Sequence, residues 1–245
     1  MEIIGYAEMA AEIWNNLPIE NQDSLLRHFH LRPTNSGITI VSTLPIFPMR
    51  GLANIKDRNS LLNKLNEIHD NIKQICSTNG DKAITILKAI GFKKKEPTKD
   101  EYIEEDIQAL MIRTMSKDEN LRIKLKANNK IQFIASELIF EKGKNRVDVV
   151  GYDGVDLYFF ELKKGRTTKV DQVKRYVDYY SDAKNLNILQ ELLKTYPMNP
   201  VEKFQTIKGV MVMQYAENSD QNMWNRLATD NSIDILFFEK SLSYR

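Results

Sequence analysis

Two runs rich in β-branched and aromatic residues, 146–152 (RVDVVGY) and 156–163 (DLYFFELK), stand on either side of Asp153-Gly154. Asp-Gly between such runs is the strongest short-range signal for a two-residue type I′ hairpin, so this stretch constrains the fold more than any other. With Asp153 and Gly154 at the centre of the turn, Tyr152 pairs with Val155, Val150 with Leu157 and Asp148 with Phe159. Paired residues share a face and a strand alternates with period 2. Asp148, Phe159, Glu161 and Lys163 are therefore expected on one side, and Tyr158, Phe160 and Leu162 on the other, packed under the sheet. Asp148 and Glu161 become diagonal neighbours, roughly 7–8 Å apart.

Two carboxylates at that separation raise each other's pKa unless a cation neutralises them. Mg²⁺ is the expected occupant, being a hard ion that takes oxygen ligands and shares its shell with waters and phosphate. Mn²⁺ is expected to substitute. Lys163, one strand repeat beyond Glu161, is placed to orient a water or to offset charge at phosphorus. The same residues also suit the solvated face of an ordinary hairpin.

The flanking sequence favours the site. Thr168 and Asp171 have the spacing of a capping box that opens a helix over about 169–182. In that helix Val170, Val173, Val177 and Tyr180 form a core stripe, with Gln172, Tyr176 and Tyr179 beside it. Net charge is only +2, divided as +2 over residues 1–100 and zero over 101–245. Yet Lys163, Lys164, Arg166, Lys169, Lys174 and Arg175 cluster against one acid, Asp171, as a strand-guiding basic stripe would.

Asp148, Glu161-Leu162-Lys163 and Gln172-Val173-Lys174-Arg175-Tyr176 together resemble the PD-(D/E)xK nuclease superfamily, in the RecB- and NucS-type branch with a Q-x-x-x-Y helix. The resemblance covers about residues 100–245. It implies that Asp148 and Glu161 are metal ligands, that Lys163 is the catalytic lysine, and that Gln172 and Tyr176 support the site and guide the strand. It further implies a metal-binding glutamate on a helix before the sheet, with Glu104 the first candidate and Glu105 the alternative. Arg146-Val147-Asp148 departs from the family name in having no proline before the aspartate. Glu137, on a strand expected over 131–140, is either a metal-site or supporting residue or an edge glutamate paired with a nearby lysine.

The rest of this half reads as a restriction-endonuclease-like α/β domain, a mixed sheet flanked by helices. Leu121, Ile123 and Leu125 alternate with polar residues and suggest a strand of a meander. Helices are expected near 186–193 and 219–227, and strands over 207–215, a central one, and 233–238.

Residues 1–98 read as a separate, mainly helical domain for recognition, regulation or oligomerisation, ahead of a nuclease domain over 99–245. Tyr6, Met9, Ile13 and Leu17 mark one amphipathic helix, and Leu61, Leu65, Ile68, Ile72 and Ile75 a longer one. A short strand is expected at 37–43, an irregular loop around Pro45, Pro48 and Gly51, and a boundary in the charged stretch 91–99. His28, His30 and His69 lack a fourth donor and are not read as a metal cluster. The single cysteine, Cys76, excludes an internal disulfide, fits a cytoplasmic protein, and is expected to be a buried structural thiol. No run is long and apolar enough to span a membrane, and the acidic start is not a secretory signal. The chain is thus expected to be a Mg²⁺-dependent nuclease acting on DNA rather than RNA, with a homodimer or a protein partner through residues 1–98. The alternative is a nucleic-acid-binding or partner-gated subunit that keeps the fold but does not cut alone.

Overall fold

A computed structural model describes residues 2–44, 51–78, 80–93, 104–141, 145–163, 165, 167–214 and 220–238. The chain is mixed α/β, with two sheets, and divides into two compact units. One comprises Met1–Glu101 with Glu191–Val201, the other Tyr102–Gln190 with Glu202–Arg245.

The first unit runs α1 (Glu2–Asn16), α2 (Ile19–Leu26), β1 (Phe29–Thr34), β2 (Gly37–Ser42), β3 (Leu52–Ile55), α3 (Arg58–Ser77) and α4 (Gly80–Ile90). Asp57 caps α3 by accepting from the Ser60 amide at 2.8 Å, and Leu61, Leu65, Ile68, Ile72 and Ile75 all lie inward. In α1 the buried face is Ile3, Ala7, Ala10, Ile13 and Trp14, with Tyr6 and Met9 only partly buried. The small alanines let the helix back approach the core, so the stripe is rotated from the one the large residues suggested. Strands β1 and β3, unexpected from the sequence, flank β2 in an antiparallel sheet. Pro45 and Pro48, and most of the expected boundary stretch, lie outside the described residues. Cys76 is exposed, which corrects the buried thiol: Ile72 and Ile75 take the inward face of the last turns. Among the described residues there is no metal-binding group of three or more His, Cys, Asp or Glu, and His30 is buried on β1.

The second unit contains α5 (Glu104–Thr114), α6 (Glu119–Lys124), β4 (Gln132–Glu141), β5 (Asn145–Tyr152), β6 (Leu157–Lys163), α7 (Asp171–Ser181), most of α8 (Ala183–Lys194), β7 (Ile207–Gln214), α9 (Gln221–Asn231) and β8 (Asp234–Phe238), while α8 from Glu191 onward belongs to the first unit. Its sheet order is β4-β5-β6-β7-β8. The first three strands pair antiparallel, and β6, β7 and β8 run parallel through helical crossovers. Tyr158, Phe160 and Leu162 share one apolar cluster with Ile107, Met115, Leu121, Leu125 and Val212. Burial of each such side chain contributes about 1.5–3 kcal/mol. The opposite face packs Met211 and Met213 against Val170, Val173 and Trp224. Gly209 lets α7 approach β7, since a Cβ there would meet Val173 Cγ1 at 2.5 Å.

Three local expectations are corrected. Residues 121–124 are helix and not strand, with Leu125 as its C-cap: Asp118 caps α6 by accepting from the Leu121 amide, and Leu121 and Leu125 are buried four apart while Ile123 is exposed. The N-cap of α7 is Val170, without a side-chain cap, so Thr168 and Asp171 form no capping box. Burial of Val170 sets that end, and Thr167 Oγ1 accepts instead from the Lys169 amide. The hairpin register also differs, with Tyr152 opposite Leu157, Val150 opposite Phe159 and Val149 opposite Phe160. The central residues are Gly154 and Val155, because the Asp153 amide donates to Asp156 O and Asp153 Oδ1 accepts from the amides of Val155 and Asp156. Gly154, at φ 92°, occupies the first central position, as glycine does in type II′ turns. Asp153 Oδ2 accepts further bonds from the Asn128 amide, Asn128 Nδ2 and the Tyr158 hydroxyl, so a loop far away in sequence clamps the turn.

Candidate functional site

The corrected register keeps the faces and changes the neighbours. A slip of two residues preserves strand parity, so Asp148, Glu161 and Lys163 still share a side. One step beyond the last main-chain pair, Val149 with Phe160, Asp148 stands directly opposite Glu161 rather than Phe159. Residues facing each other across an antiparallel pair have Cβ atoms about 4.5–5.5 Å apart, closer than the diagonal spacing expected. There the ladder is continued by a side chain: Asp148 Oδ2 accepts from the Leu162 amide at 2.8 Å.

Helix α7 packs on β5, β6 and β7 and covers this face, so Glu161 is only 2% exposed while Lys163 keeps partial access to solvent. Lys163 Nζ donates to Glu161 Oε1. The second oxygen, Oε2, is buried with no hydrogen-bond partner among the described residues. Burial, and then the charge of Asp148, push the Glu161 carboxyl up to about 7, against the pull of Lys163. Burial likewise lifts Asp148 to about 6, against the Leu162 amide, Lys163 and Arg146. Burial works to lower the Lys163 pKa, but the bond and attraction to Glu161, aided by Glu104 and Asp148, hold it above its ordinary value.

The other expected residues fall into four groups. Glu104 opens α5, and its charge raises the pKa values of Asp148, Glu161 and Lys163. One turn on, Gln108 is buried and its Nε2 donates to Asp148 O at 2.6 Å, which fastens that face of α5 to β5. Glu105 is the next residue of α5, off the Glu104–Gln108 row.

Gln172 Nε2 donates to the Tyr176 hydroxyl at 2.6 Å, and that hydroxyl also accepts from the main-chain N–H of Arg146; Tyr176 is buried beside the carboxylates. Burial raises the Tyr176 pKa, and the charges of Glu161 and Asp148 add to it.

Glu137 lies on the edge strand β4 and pairs with Arg146, an arginine where a lysine was expected. Of the basic stripe, Lys169 is exposed, Arg175 pairs with Asp171 and Lys174 with Asp178, so the helix lysine and arginine are partly neutralised on their own surface. Lys164 and Arg166 lie outside the described residues.

Sequence reasoning missed Gln108 and Arg146. Both carried a signal: Gln108 is at i+4 from Glu104 on a helix, and Arg146 at i−2 from Asp148 on a strand.

Although three ready-made ligands do not converge among the described residues, the donor set fits a hard cation. A magnesium ion commonly takes one or two carboxylates and completes its shell with water and substrate phosphate. A buried carboxylate oxygen without a partner, close to a second carboxylate, is costly in its ionised form unless a cation binds there. No protein-family model matches the chain, and no curated protein is significantly similar to it. Among the described residues no helix is long and apolar enough to cross a membrane.

Proposed function

We propose that this chain is a metal-dependent nuclease of the PD-(D/E)xK, restriction-endonuclease-like type that hydrolyses phosphodiester bonds of DNA. The observation that carries the reading is the buried Glu161, with one oxygen unpartnered and the other on Lys163, opposite Asp148. Asp148 and Glu161 would hold Mg²⁺ or Mn²⁺, with Glu104 one turn before the Gln108 anchor as the third carboxylate. When bound, the cation supplies a Lewis acid that stabilises charge on the phosphoryl oxygens. Lys163, released from Glu161, orients the attacking water or offsets charge at phosphorus. Gln172 and Tyr176 brace the face against which the strand lies, and Lys169 adds exposed positive charge at the entrance to α7. A cytoplasmic protein acting on DNA, with a second copy or a partner held through the first unit, completes the proposal.

The test is incubation of the purified protein with supercoiled plasmid and with labelled single-stranded DNA in Mg²⁺, Mn²⁺ or EDTA. Metal-dependent cutting, lost in Asp148→Ala and Lys163→Ala, is expected. Binding without cutting, unchanged by either substitution, would instead indicate a nucleic-acid-binding protein whose carboxylate pair is not catalytic.

A further inference from the structure

We propose that Arg146 binds a phosphate of the nucleic-acid strand adjoining the one that is cleaved, and that Glu137 is the positioning residue that holds its guanidinium. This rests on the nuclease reading and adds to it a substrate contact. Arg146 precedes Asp148 by two residues, on the same face of β5, a step of roughly 6.4–6.8 Å. That step is close to the span between neighbouring phosphates of a strand. The side chain is 53% exposed, and Nη1 donates to Glu137 Oε2 at 3.0 Å. A guanidinium carries five N–H donors in a planar fork, so one bond to a carboxylate leaves a forked set for an anion.

Glu137 is built for this hold. Its neighbours pair as Ser136 with Val149 and Leu138 with Val147, which puts Glu137 across from Asp148. Glu137, Asp148 and Glu161 thus form one row over β4, β5 and β6. The Glu137 backbone is left-handed, at φ 48°, an uncommon conformation for a residue with a Cβ and a strained one inside a strand. A half-exposed ion pair stabilises a fold too little to offset that strain, and such strain concentrates at functional sites. The main-chain N–H of Arg146 donates to the Tyr176 hydroxyl, which ties the arginine's backbone to α7. Because β5 and β6 run antiparallel, Arg146 and Lys163 then carry positive charge on the same side of the Asp148–Glu161 pair, each two residues from its carboxylate.

The experiment measures affinity for a labelled DNA oligonucleotide, single-stranded and duplex, over a salt series with calcium in place of magnesium. Wild type is compared with Arg146→Ala, Arg146→Lys and Glu137→Gln, each checked for an unchanged melting temperature. Loss of one phosphate contact in Arg146→Ala is expected to flatten the slope of log K against log[salt] by about 0.7–0.9. Arg146→Lys keeps the slope with weaker binding, because an ammonium lacks the fork. Glu137→Gln keeps the slope and weakens binding, and in a parallel cleavage assay with Mg²⁺ it raises KM more than it lowers kcat. A slope unchanged in Arg146→Ala would overturn this assignment and leave the nuclease reading standing. Failure of the wild type to bind DNA would remove both.

Discussion

Glu161→Gln tests whether the fold keeps this carboxylate at a cost. Glu161 is raised from its ordinary 4.5 to about 7, chiefly by burial. A group whose folded pKa is raised contributes stability that is complete below its unfolded pKa and is lost as pH climbs through the folded value. Metal-free protein should therefore weaken between pH 5 and 8. At about 1.4 kcal/mol per pH unit the loss reaches roughly 3 kcal/mol, and the shared environment of Asp148 and Lys163 reduces this to about 2–3 kcal/mol. Glutamine has the same shape and never ionises, so the variant escapes the loss. For a chain of this size the melting temperature of the variant should gain about 4–12 °C on the wild type between pH 5 and pH 8 in EDTA. Comparing the two proteins cancels other titrating groups, His30 among them. Mg²⁺ should raise the wild type at pH 8 and leave the variant unmoved, since the cation favours the ionised carboxylate. Parallel melting curves for the two proteins across that range in EDTA would refute the reasoning, because Glu161 would then ionise in the fold as easily as in the unfolded chain.

Further outcomes follow from other buried groups. Burial, with Arg32 adding to it, holds the His30 imidazole down to about 3, so its stabilisation is present above about 6.5 and is lost as pH falls. At pH 5 this imidazole costs the fold about 2 kcal/mol, and in urea titrations at pH 5 and 7.5 His30→Asn should show the smaller difference. Asp153 is 1% exposed and accepts from three amides, the Asn128 side chain and the Tyr158 hydroxyl. Asp153→Ala should lower stability in chemical denaturation by about 3–5 kcal/mol, with Asp153→Asn losing less; an effect below about 1 kcal/mol would contradict the clamp. Gly209→Ala should cost about 1–3 kcal/mol by forcing a Cβ against Val173 and Val177. Val173→Ala in the same protein should recover part of the loss in a double-mutant cycle, and strict additivity would mean that the two do not meet.

Local periodicity was written in the chain. The α3 stripe of Leu61, Leu65, Ile68, Ile72 and Ile75 buries as its spacing requires, and the two faces of β6 divide Tyr158, Phe160 and Leu162 from Glu161 and Lys163. Helical and pleated geometry repeat within a few residues, so the sequence alone determines which side chains share a face. Where two periods fit the same residues, a cap decides: Leu121 and Leu125 suit both, and Asp118 makes them helical.

Register and company were settled only by tertiary structure. The turn moved one residue along because Asp153 is clamped by Asn128, some 25 positions away. That shift set Asp148 opposite Glu161 and not diagonal to it. The Gln108 bond to Asp148 and the Glu137–Arg146 pair likewise depend on which helix and which strand lie beside β5. Alternation follows from the sterics of a single strand, whereas pairing partners and burial depend on contacts between distant segments, and those contacts govern the charge balance of the carboxylate pair.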